Sequence, residues 1–256
     1  MTDAKAVARV ATAIAPADSD TIIEIGPGKG ALTYALRGKS AGARIIAVER
    51  DSILADELMR DLEKDSRVEL VRGDILELLP SLSERLRATP YKLCGNIPYY
   101  ITGHLLRVIG GLQHKPKITV LTIQKEVAER LVAEPPRMNR LAAAVQFWGE
   151  ARFVGIISRK NFTPPPEVDS AIIAITTRQD IAANPHTYDI LIRALFQQPR
   201  KTILNNLVSA LGKDKKELVV EVLRDAGVPE TDRPQNCSIE ILIRLSDILS
   251  VELLKV

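Results

Sequence analysis

The sequence has little cysteine and no long apolar run, and each shortage excludes a class of protein. Only two of its 256 residues are cysteines. Cys94 and Cys237 are far apart and form no C-x-x-C pair, which predicts reduced thiols in the cytoplasm rather than a disulfide framework. No apolar run approaches the roughly 18 residues that span a bilayer, so we expect no membrane partner. The first 16 residues lack a continuous apolar core and a cleavage site, so we expect no secretory signal.

Histidine is equally scarce, and its positions predict no metal site. The three histidines, His104, His114 and His186, lie at no ligand spacing from one another or from the cysteines. The hydrophobic fraction is 46%, which argues against wholesale disorder and predicts an ordinary globular protein.

The net charge is only +3, but its distribution is uneven. No acidic residue lies between Glu84 and Glu126, and a second acid-free run separates Asp189 from Asp214. The first run contains Arg85, Arg87, Lys92, Arg107, Lys115, Lys117 and Lys125, and the second contains Arg193, Arg200, Lys201 and Lys213. Clustered positive charge is typical of a site for a polyanion. A solvated, salt-bridged surface would explain it equally well.

The first part of the chain alternates between strand and helix patterns. The predicted strands are residues 21–25, 44–48, 68–71, 92–94 and 118–123, and the predicted helices are 4–14, 31–36, 52–62, 104–109 and 125–132. This order predicts an α/β fold with a parallel, doubly wound sheet. Strands at 153–158 and 170–176 follow without a helix, which predicts an antiparallel hairpin at the sheet edge.

Only helix patterns follow residue 178. They cover residues 188–196, 201–211, 215–226 and 239–251. We therefore predict an α/β domain over residues 1–178 and a small all-helical domain over residues 179–256.

A glycine-rich turn follows the first strand. Glu24 precedes Gly26, Gly28 and Gly30, whose flexible backbone and following helix N-terminus suit close approach by a ligand. Glu49 ends the next strand, where it could accept hydrogen bonds from a ribose diol. The dinucleotide fingerprint has the same parts, but its spacing is G-x-G-x-x-G rather than the G-x-G-x-G found here.

Two acidic residues favour a cationic cofactor over a dinucleotide. Glu24 adds negative charge near the turn, which suits a cationic ligand better than a pyrophosphate. Asp74 follows the third strand, where it could meet an adenine amino group. Each acid alone could equally be a helix cap. As an ordered set they resemble the S-adenosylmethionine pocket of class I methyltransferases, which have a Rossmann-like fold.

The segment Asn96-Ile97-Pro98-Tyr99 follows the fourth strand, at the end where open α/β sheets bind ligands. Asn-x-Pro-aromatic is typical of methyltransferases that act on the exocyclic amine of a base. The N6 lone pair of adenine is delocalised into the ring, so two acceptors aimed at the amine hydrogens would free it for attack. The Asn96 side chain and the Ile97 carbonyl could supply them, Pro98 would fix the turn, and Tyr99 could stack on an unstacked base.

With these motifs, the sequence resembles the KsgA-type ribosomal RNA small-subunit adenine dimethyltransferases. Three more segments match that family: Gln124 to Leu131, which begins Gln-Lys-Glu-Val, Asn161 to Ser170 with its three prolines, and Phe196 to Leu207, which contains Arg200-Lys201-Thr202. The matching segments extend from about residue 3 to the C-terminus. Members usually begin with a basic arm and a Q-x-F-L segment that helps to close the cofactor site. This sequence starts after the position of that segment, so we expect weaker cofactor binding and weaker RNA docking than in a form that contains it.

The resemblance implies a substrate and a set of residue roles. The family transfers four methyl groups to two adjacent adenosines near the 3′ end of small-subunit ribosomal RNA. Gly26, Glu49, Asp74 and Asn96 would contact S-adenosylmethionine, and Tyr99 and Phe162 would face the target adenine from two sides. Phe162 alone would also suit a hydrophobic anchor for a rigid proline-rich loop.

We therefore expect a monomeric enzyme that uses S-adenosylmethionine and no metal, with the small ribosomal subunit as its partner. The expected RNA-binding cations are Arg107, Lys115, Lys117, Arg200 and Lys201. An Erm-type methyltransferase of large-subunit RNA is the nearest rival interpretation, but the proline-rich segment and Arg200-Lys201-Thr202 favour the KsgA type. A non-catalytic small-subunit assembly factor and a dinucleotide dehydrogenase are two more distant interpretations. Tyr100 departs from the family, in which many members have asparagine at this position.

Overall fold

A computed structural model of the chain describes residues 3–63, 65–179 and 183–255. Among these residues the helices are α1 (Ala4–Ile14), α2 (Ala31–Lys39), α3 (Ser52–Leu62), α4 (Ile75–Arg85), α5 (Thr102–Gly111), α6 (Lys125–Leu131), α7 (Arg140–Trp148), α8 (Pro185–Gln197), α9 (Ile203–Leu211), α10 (Lys216–Asp225), α11 (Ile239–Ile248) and α12 (Ser250–Leu253). The strands are β1 (Thr21–Ile25), β2 (Arg44–Glu49), β3 (Val68–Arg72), β4 (Tyr91–Asn96), β5 (Ile118–Gln124), β6 (Gly149–Ile157) and β7 (Ser170–Thr177).

The strands form one sheet in the order β3-β2-β1-β4-β5-β7-β6. β1 to β5 pair in parallel, whereas β7 runs antiparallel to β5. This confirms the predicted α/β fold, with β6 at the sheet edge beside β7. Because β1 is central, all five of its residues are buried, as expected for a strand covered on both faces.

The parallel register brings the carboxyl ends of the strands to one edge of the sheet. Ile25 of β1 lies opposite Val48 of β2 and Gly95 of β4, and Asn96 lies opposite Thr122 of β5. The glycine turn, Glu49 and Asn96 therefore share this edge. The helices against the sheet are fixed by a buried cluster that includes Val10, Ile22 and Ile172.

The chain divides into two compact units. The first contains Met1–Glu129 and Glu150–Thr177, and the second contains Arg130–Gly149 and Arg178–Val256. These units differ from the division predicted at residue 178 in one respect: α7 and its flanking residues group with the C-terminal helices. The sequence patterns also missed α4 and α7 as helices. Among the described residues, no helix is long and apolar enough to cross a membrane.

Tyr188 of α8 explains why α7 belongs to the second unit. Its ring stacks on that of Phe147, with centroids 4.1 Å apart. Its hydroxyl donates a hydrogen bond of 3.0 Å to the carbonyl oxygen of Ala143 in α7. Tyr188 is only 2% exposed, and burial raises the pKa of its hydroxyl. The polar atom of this side chain is thus satisfied by the helix against which the ring packs.

Removing only this hydroxyl should destabilise the second unit. We expect Tyr188→Phe to lower the midpoint of thermal unfolding by about 2–6 °C, because the ring stack is kept while one buried hydrogen bond is lost. Calorimetry measures this midpoint. Tyr34→Phe is the matched control. Because Tyr34 is 41% exposed, loss of its hydroxyl should change the midpoint little. Equal midpoints for all three proteins would contradict the assigned role of the hydroxyl.

Candidate active site

The glycine turn after β1 exposes backbone at the carboxyl edge of the sheet. Gly26 and Gly28 have φ angles of 59° and 55°, a left-handed conformation that side chains with a Cβ rarely adopt. A methyl group added at either position would meet no heavy atom within 4 Å. Gly30 differs, because an added methyl would lie 2.6 Å from Leu58. Gly26 and Gly28 thus border open space for a ligand, whereas Gly30 allows close packing of α2 on α3.

Glu49 holds this turn in place. Its Oε2 accepts a hydrogen bond of 2.9 Å from the Gly28 N–H, and its Oε1 accepts one of 2.9 Å from the Asp51 N–H. Since each carboxylate oxygen has two lone pairs, further acceptor capacity is left for a ligand. The side chain is buried but lies beside the open face of the turn. These contacts are compatible with the predicted contact to a ribose diol.

Glu24 is enclosed by protein. It is 1% exposed, and its Oε2 accepts a hydrogen bond of 2.7 Å from the Thr33 hydroxyl at the start of α2. Burial raises the pKa of Glu24 from 4.5 to about 7, and the Glu49 charge adds to this, while the bond from Thr33 opposes it. Cys94 lies opposite Glu24 in β4, and burial raises the pKa of its thiol too. The described contacts of Glu24 therefore tie β1 to α2, and its predicted role toward the cofactor stays a prediction.

Asp74 caps α4 at the same edge of the sheet. Its Oδ1 accepts a hydrogen bond of 2.9 Å from the Leu76 N–H, and Arg50 approaches its Oδ2 at 3.6 Å. The preceding Gly73 donates its N–H to the carbonyl oxygen of Glu49 at 2.9 Å. The helix-cap role is thus present in the structure, and the predicted adenine contact would use the remaining acceptor capacity of the same carboxylate.

In the segment Asn96–Tyr99, at the end of β4, the side chains of Asn96 and Tyr99 differ in their contacts. Asn96 is half-buried, and its carboxamide has no hydrogen-bond partner among the residues the structure describes. Ile97 is buried and Pro98 is exposed. Tyr99 is half-buried, and its hydroxyl lies 2.8 Å from the Ser170 Oγ at the start of β7. The amide that would contact an amine is therefore available, while the ring that would contact a base is anchored.

Phe162 lies in the loop between β6 and β7. Arg159 closes this loop, because its N–H donates to Asp169 Oδ1 at 2.9 Å and its Nη1 donates to the Glu167 carbonyl at 3.0 Å. Phe162 is partly buried against the hydrophobic cluster beneath the sheet, which is the anchor role the sequence allowed. In the described ranges the structure records no ring contact between Phe162 and Tyr99. Its predicted place opposite Tyr99 at the adenine stays a prediction.

Much of the positive charge in the first acid-free run is already neutralised. Arg85 pairs with Glu69, Arg87 with Glu84, Lys92 with Asp20 and Lys125 with Glu129. Lys115 donates to the Leu112 carbonyl at 2.7 Å, and burial lowers the pKa of its ammonium group. The other four cations predicted to bind RNA are exposed and have no partner among the described residues: Arg107, Lys117, Arg200 and Lys201.

Two positioning residues, Thr33 and Ser170, were missed in the sequence. Each hydroxyl holds a predicted site residue, Thr33 through Glu24 and Ser170 through Tyr99. Thr33 could have been noticed as a hydroxyl in the first turn of the helix after the glycines. Ser170 lies at the end of the proline-rich segment, but its contact spans 71 residues and leaves no local signal.

A cavity of about 500 Å³ lies beside this edge, between the end of β5 and the start of β7. Gln124, Lys125, Arg159 and Asp169 are among its lining residues. None of the predicted site residues lines it, so it adjoins the candidate site without being that site. Among the described residues, no group of histidine, cysteine and acidic side chains is placed to hold a metal ion.

Comparison with known proteins points to one family of RNA methyltransferases. The family model for ribosomal RNA adenine dimethylase matches residues 1–250. The chain is 40% identical over 226 residues to the ribosomal RNA small subunit methyltransferase A of Dehalococcoides mccartyi strain CBDB1, covering 87% of this chain and 76% of that protein. It is 35% identical over 242 residues to the protein of the same name from Bacillus pumilus, covering 91% and 82%.

Solved structures show the same fold. A dimethyladenosine transferase from Plasmodium falciparum superposes with a TM-score of 0.85 at 23% identity, covering 98% of each chain. The 23S rRNA methyltransferase ErmE superposes with a TM-score of 0.76 at 25% identity, covering 98% of this chain and 99% of that one. The predicted class I methyltransferase fold with its C-terminal helices is thereby confirmed.

The raised pKa of Glu24 predicts how stability changes with pH. Between pH 4.5 and 7 the folded chain holds a proton that the unfolded chain releases. The associated stability is full below pH 4.5 and decreases by about 3 kcal/mol as the pH rises to 7. Glu24→Gln removes this titration, so its stability should decrease less between pH 5 and pH 7. Urea unfolding at several pH values measures the difference.

Glu57→Gln is the matched control for this prediction, because Glu57 is exposed on α3. It should reproduce the pH dependence of the parent chain. If Glu24→Gln also reproduced it, Glu24 would be ionised and solvated in the folded state.

Proposed function

Because the chain belongs to the ribosomal RNA adenine dimethylase family, we propose that it dimethylates the N6 amines of two adjacent adenosines near the 3′ end of small-subunit ribosomal RNA. Each adenine gains two methyl groups and releases two protons. When bound, S-adenosylmethionine would supply the electrophilic methyl groups, with S-adenosylhomocysteine as the other product of each transfer. Support for the small subunit comes from the names of relatives that are 35–40% identical over most of the chain.

The observation that carries this proposal is the contrast between Asn96 and Tyr99. The free carboxamide oxygen of Asn96 would accept a hydrogen bond from the adenine amine, and the backbone carbonyl of Ile97 would accept a second. Together they would pull the amine toward a tetrahedral geometry, which returns its lone pair for attack. Tyr99, anchored through Ser170, would hold the base by stacking. The rate then depends on positioning, with no need for a strong base.

The residues around the glycine turn fit a nucleoside-bearing cofactor with a positive charge. Gly26 and Gly28 border open space, and Glu49 and Asp74 have acceptor capacity left at the same edge. Glu49 would hold the ribose hydroxyls, and Asp74 would accept from the adenine amino group. Glu24 and Gly30 would act by fixing the turn, and Asn96 would adjoin the cofactor and the target amine together. Phe162 would close the other side of the target base.

We also propose that the enzyme acts as a monomer in the cytoplasm. Support for the compartment comes from the two cysteines, which are both buried and unpaired. Elution as a single chain from a sizing column would agree with the monomer, and a stable dimer would contradict it.

Methyl incorporation into isolated ribosomal subunits tests the proposed function. We expect the chain to label unmethylated small subunits, with mass spectrometry showing dimethyladenosine at two adjacent positions. Asn96→Ala should lower the rate by about a hundredfold, since it removes an acceptor that acts on the reacting amine. Binding of S-adenosylhomocysteine to this variant separates loss of chemistry from loss of the cofactor site.

Three outcomes would contradict parts of this proposal. Label confined to large subunits would assign the chain to the Erm type, whose member ErmE has a structure similar to this chain. Unchanged labelling by Asn96→Ala would contradict the catalytic role of that residue. Binding of immature small subunits without any labelling would indicate a non-catalytic assembly factor.

The unpaired cations predict the salt dependence of RNA binding. Arg107→Ala or Lys117→Ala should each weaken binding. Each should also make the negative slope of the logarithm of the association constant against log salt shallower by about 0.7, because one phosphate contact is lost. Arg85→Ala is the matched control. Because Arg85 already pairs with Glu69, this substitution should leave the slope unchanged. Filter binding of small-subunit RNA over a salt series gives the slopes. Equal effects from Arg85 and Arg107 would show that net charge, not the unpaired cations, governs binding.

A further inference from the structure

Two tyrosines follow Pro98, and their surroundings differ. The Tyr99 hydroxyl lies 2.8 Å from Ser170 Oγ, whereas Tyr100 is 78% exposed, more than any other large hydrophobic side chain described as exposed. Within the described ranges the Tyr100 side chain has no hydrogen bond and no aromatic partner. A single exposed apolar side chain is ordinary, so the case for a function depends on where Tyr100 lies.

Tyr100 begins an exposed stripe that continues along α5. Tyr100 lies in the 3-10 turn Tyr99–Ile101, which leads directly into α5, and His104 and Arg107 follow within α5. Because His104 and Arg107 are three residues apart on an α-helix, they share one face of α5. His104 and Arg107 are exposed, and neither has a partner in the part of the chain that the structure describes. We call Tyr100, His104 and Arg107 the α5 stripe. It combines an aromatic ring with two groups that can donate hydrogen bonds to phosphate. Proteins that bind single-stranded nucleic acids use this combination.

The substrate provides a reason for a second ring. An adenine held at Tyr99 has left its stack, so the adjacent nucleotide has lost a stacking neighbour. Consecutive Cα atoms lie about 3.8 Å apart, so the backbone of Tyr100 adjoins that of the residue proposed to hold the base. Stacking on an aromatic side chain would replace the lost contact, and it tolerates any base because every base has a π-face.

We propose that the Tyr100 ring stacks on the base adjacent to the adenosine held at Tyr99, while His104 and Arg107 contact the phosphates of that strand. The inference rests on the proposed function. It names Tyr100 as a substrate-positioning residue at a position where the related family commonly has asparagine. The α5 stripe would thus hold the second target adenosine while the first is methylated.

A double-mutant cycle between ring and base tests this proposal. The protein pair is the parent chain and Tyr100→Ala, and the RNA pair is a single-stranded oligonucleotide with two adjacent adenosines and its analogue lacking the base next to the target. We expect Tyr100→Ala to weaken binding of the complete oligonucleotide by about tenfold. It should have little effect on the analogue, because the base that it contacts is already missing. Analogues lacking the base on the 5′ or the 3′ side locate the contact.

Kinetics separate positioning from chemistry. Tyr100→Ala should raise KM for RNA and leave kcat for the first methyl group nearly unchanged, and Tyr100→Phe should restore the lower KM because it keeps the ring. Thermal melting checks that each variant is folded. Equal effects of Tyr100→Ala on all oligonucleotides would overturn the proposal. So would a defect seen with assembled subunits but not with RNA, which would assign the α5 stripe to a ribosomal protein.

The proposed function can fail separately. If the parent chain methylated no small-subunit RNA, the enzymatic assignment would be wrong. Coupling between ring and base in the binding measurement would still decide whether Tyr100 stacks on RNA.

Discussion

The end of β2 is the point on which the candidate site depends. The Glu49 carboxylate accepts hydrogen bonds from Gly28 in the first loop and Asp51 in the second, and its backbone carbonyl accepts one from Gly73 in the third. One residue therefore fixes the relative positions of three loops that leave three different strands. Because those loops carry the glycine turn and Asp74, any shift at Glu49 would move the whole proposed cofactor site at once.

The chemistry explains why the proposed site needs no strong base. Transfer of a methyl group from a sulfonium centre requires a freed lone pair and correct alignment, and a strong base adds little. Glu24 is the carboxylic acid near this edge whose pKa is raised to about 7. It is enclosed and bonded to Thr33, so it stiffens the junction of β1 and α2. The groups proposed to act on the amine are neutral oxygens, which suits a reaction whose rate is set by geometry.

The sequence was informative where structure is local. The bounds of α1, β1 and α3 followed from apolar periodicity and from the Asp51 cap. Helix α4 was missed because Pro80 interrupts its pattern, and α7 because its small apolar residues show weak periodicity. The glycine turn, Glu49 and Asn96 could be placed at one edge since parallel strands end together. The charge pattern misled in part, because Arg85–Glu69 and Lys92–Asp20 join residues far apart in the chain.

The contact between the Tyr99 hydroxyl and Ser170 makes the position of the Tyr99 ring independent of the loop between β6 and β7. Ser170 lies at the first position of β7, beyond the loop that carries Phe162, and Arg159 and Asp169 close that loop at its two ends. Residues 163–165 of that loop are exposed. They can therefore be lengthened, shortened or exchanged while Phe162 stays packed on the hydrophobic cluster and the Tyr99 ring stays bonded to β7. In the proposed complex, changes in this loop would alter which RNA is admitted on one side of the base, and the Tyr99 ring on the other side would keep its position.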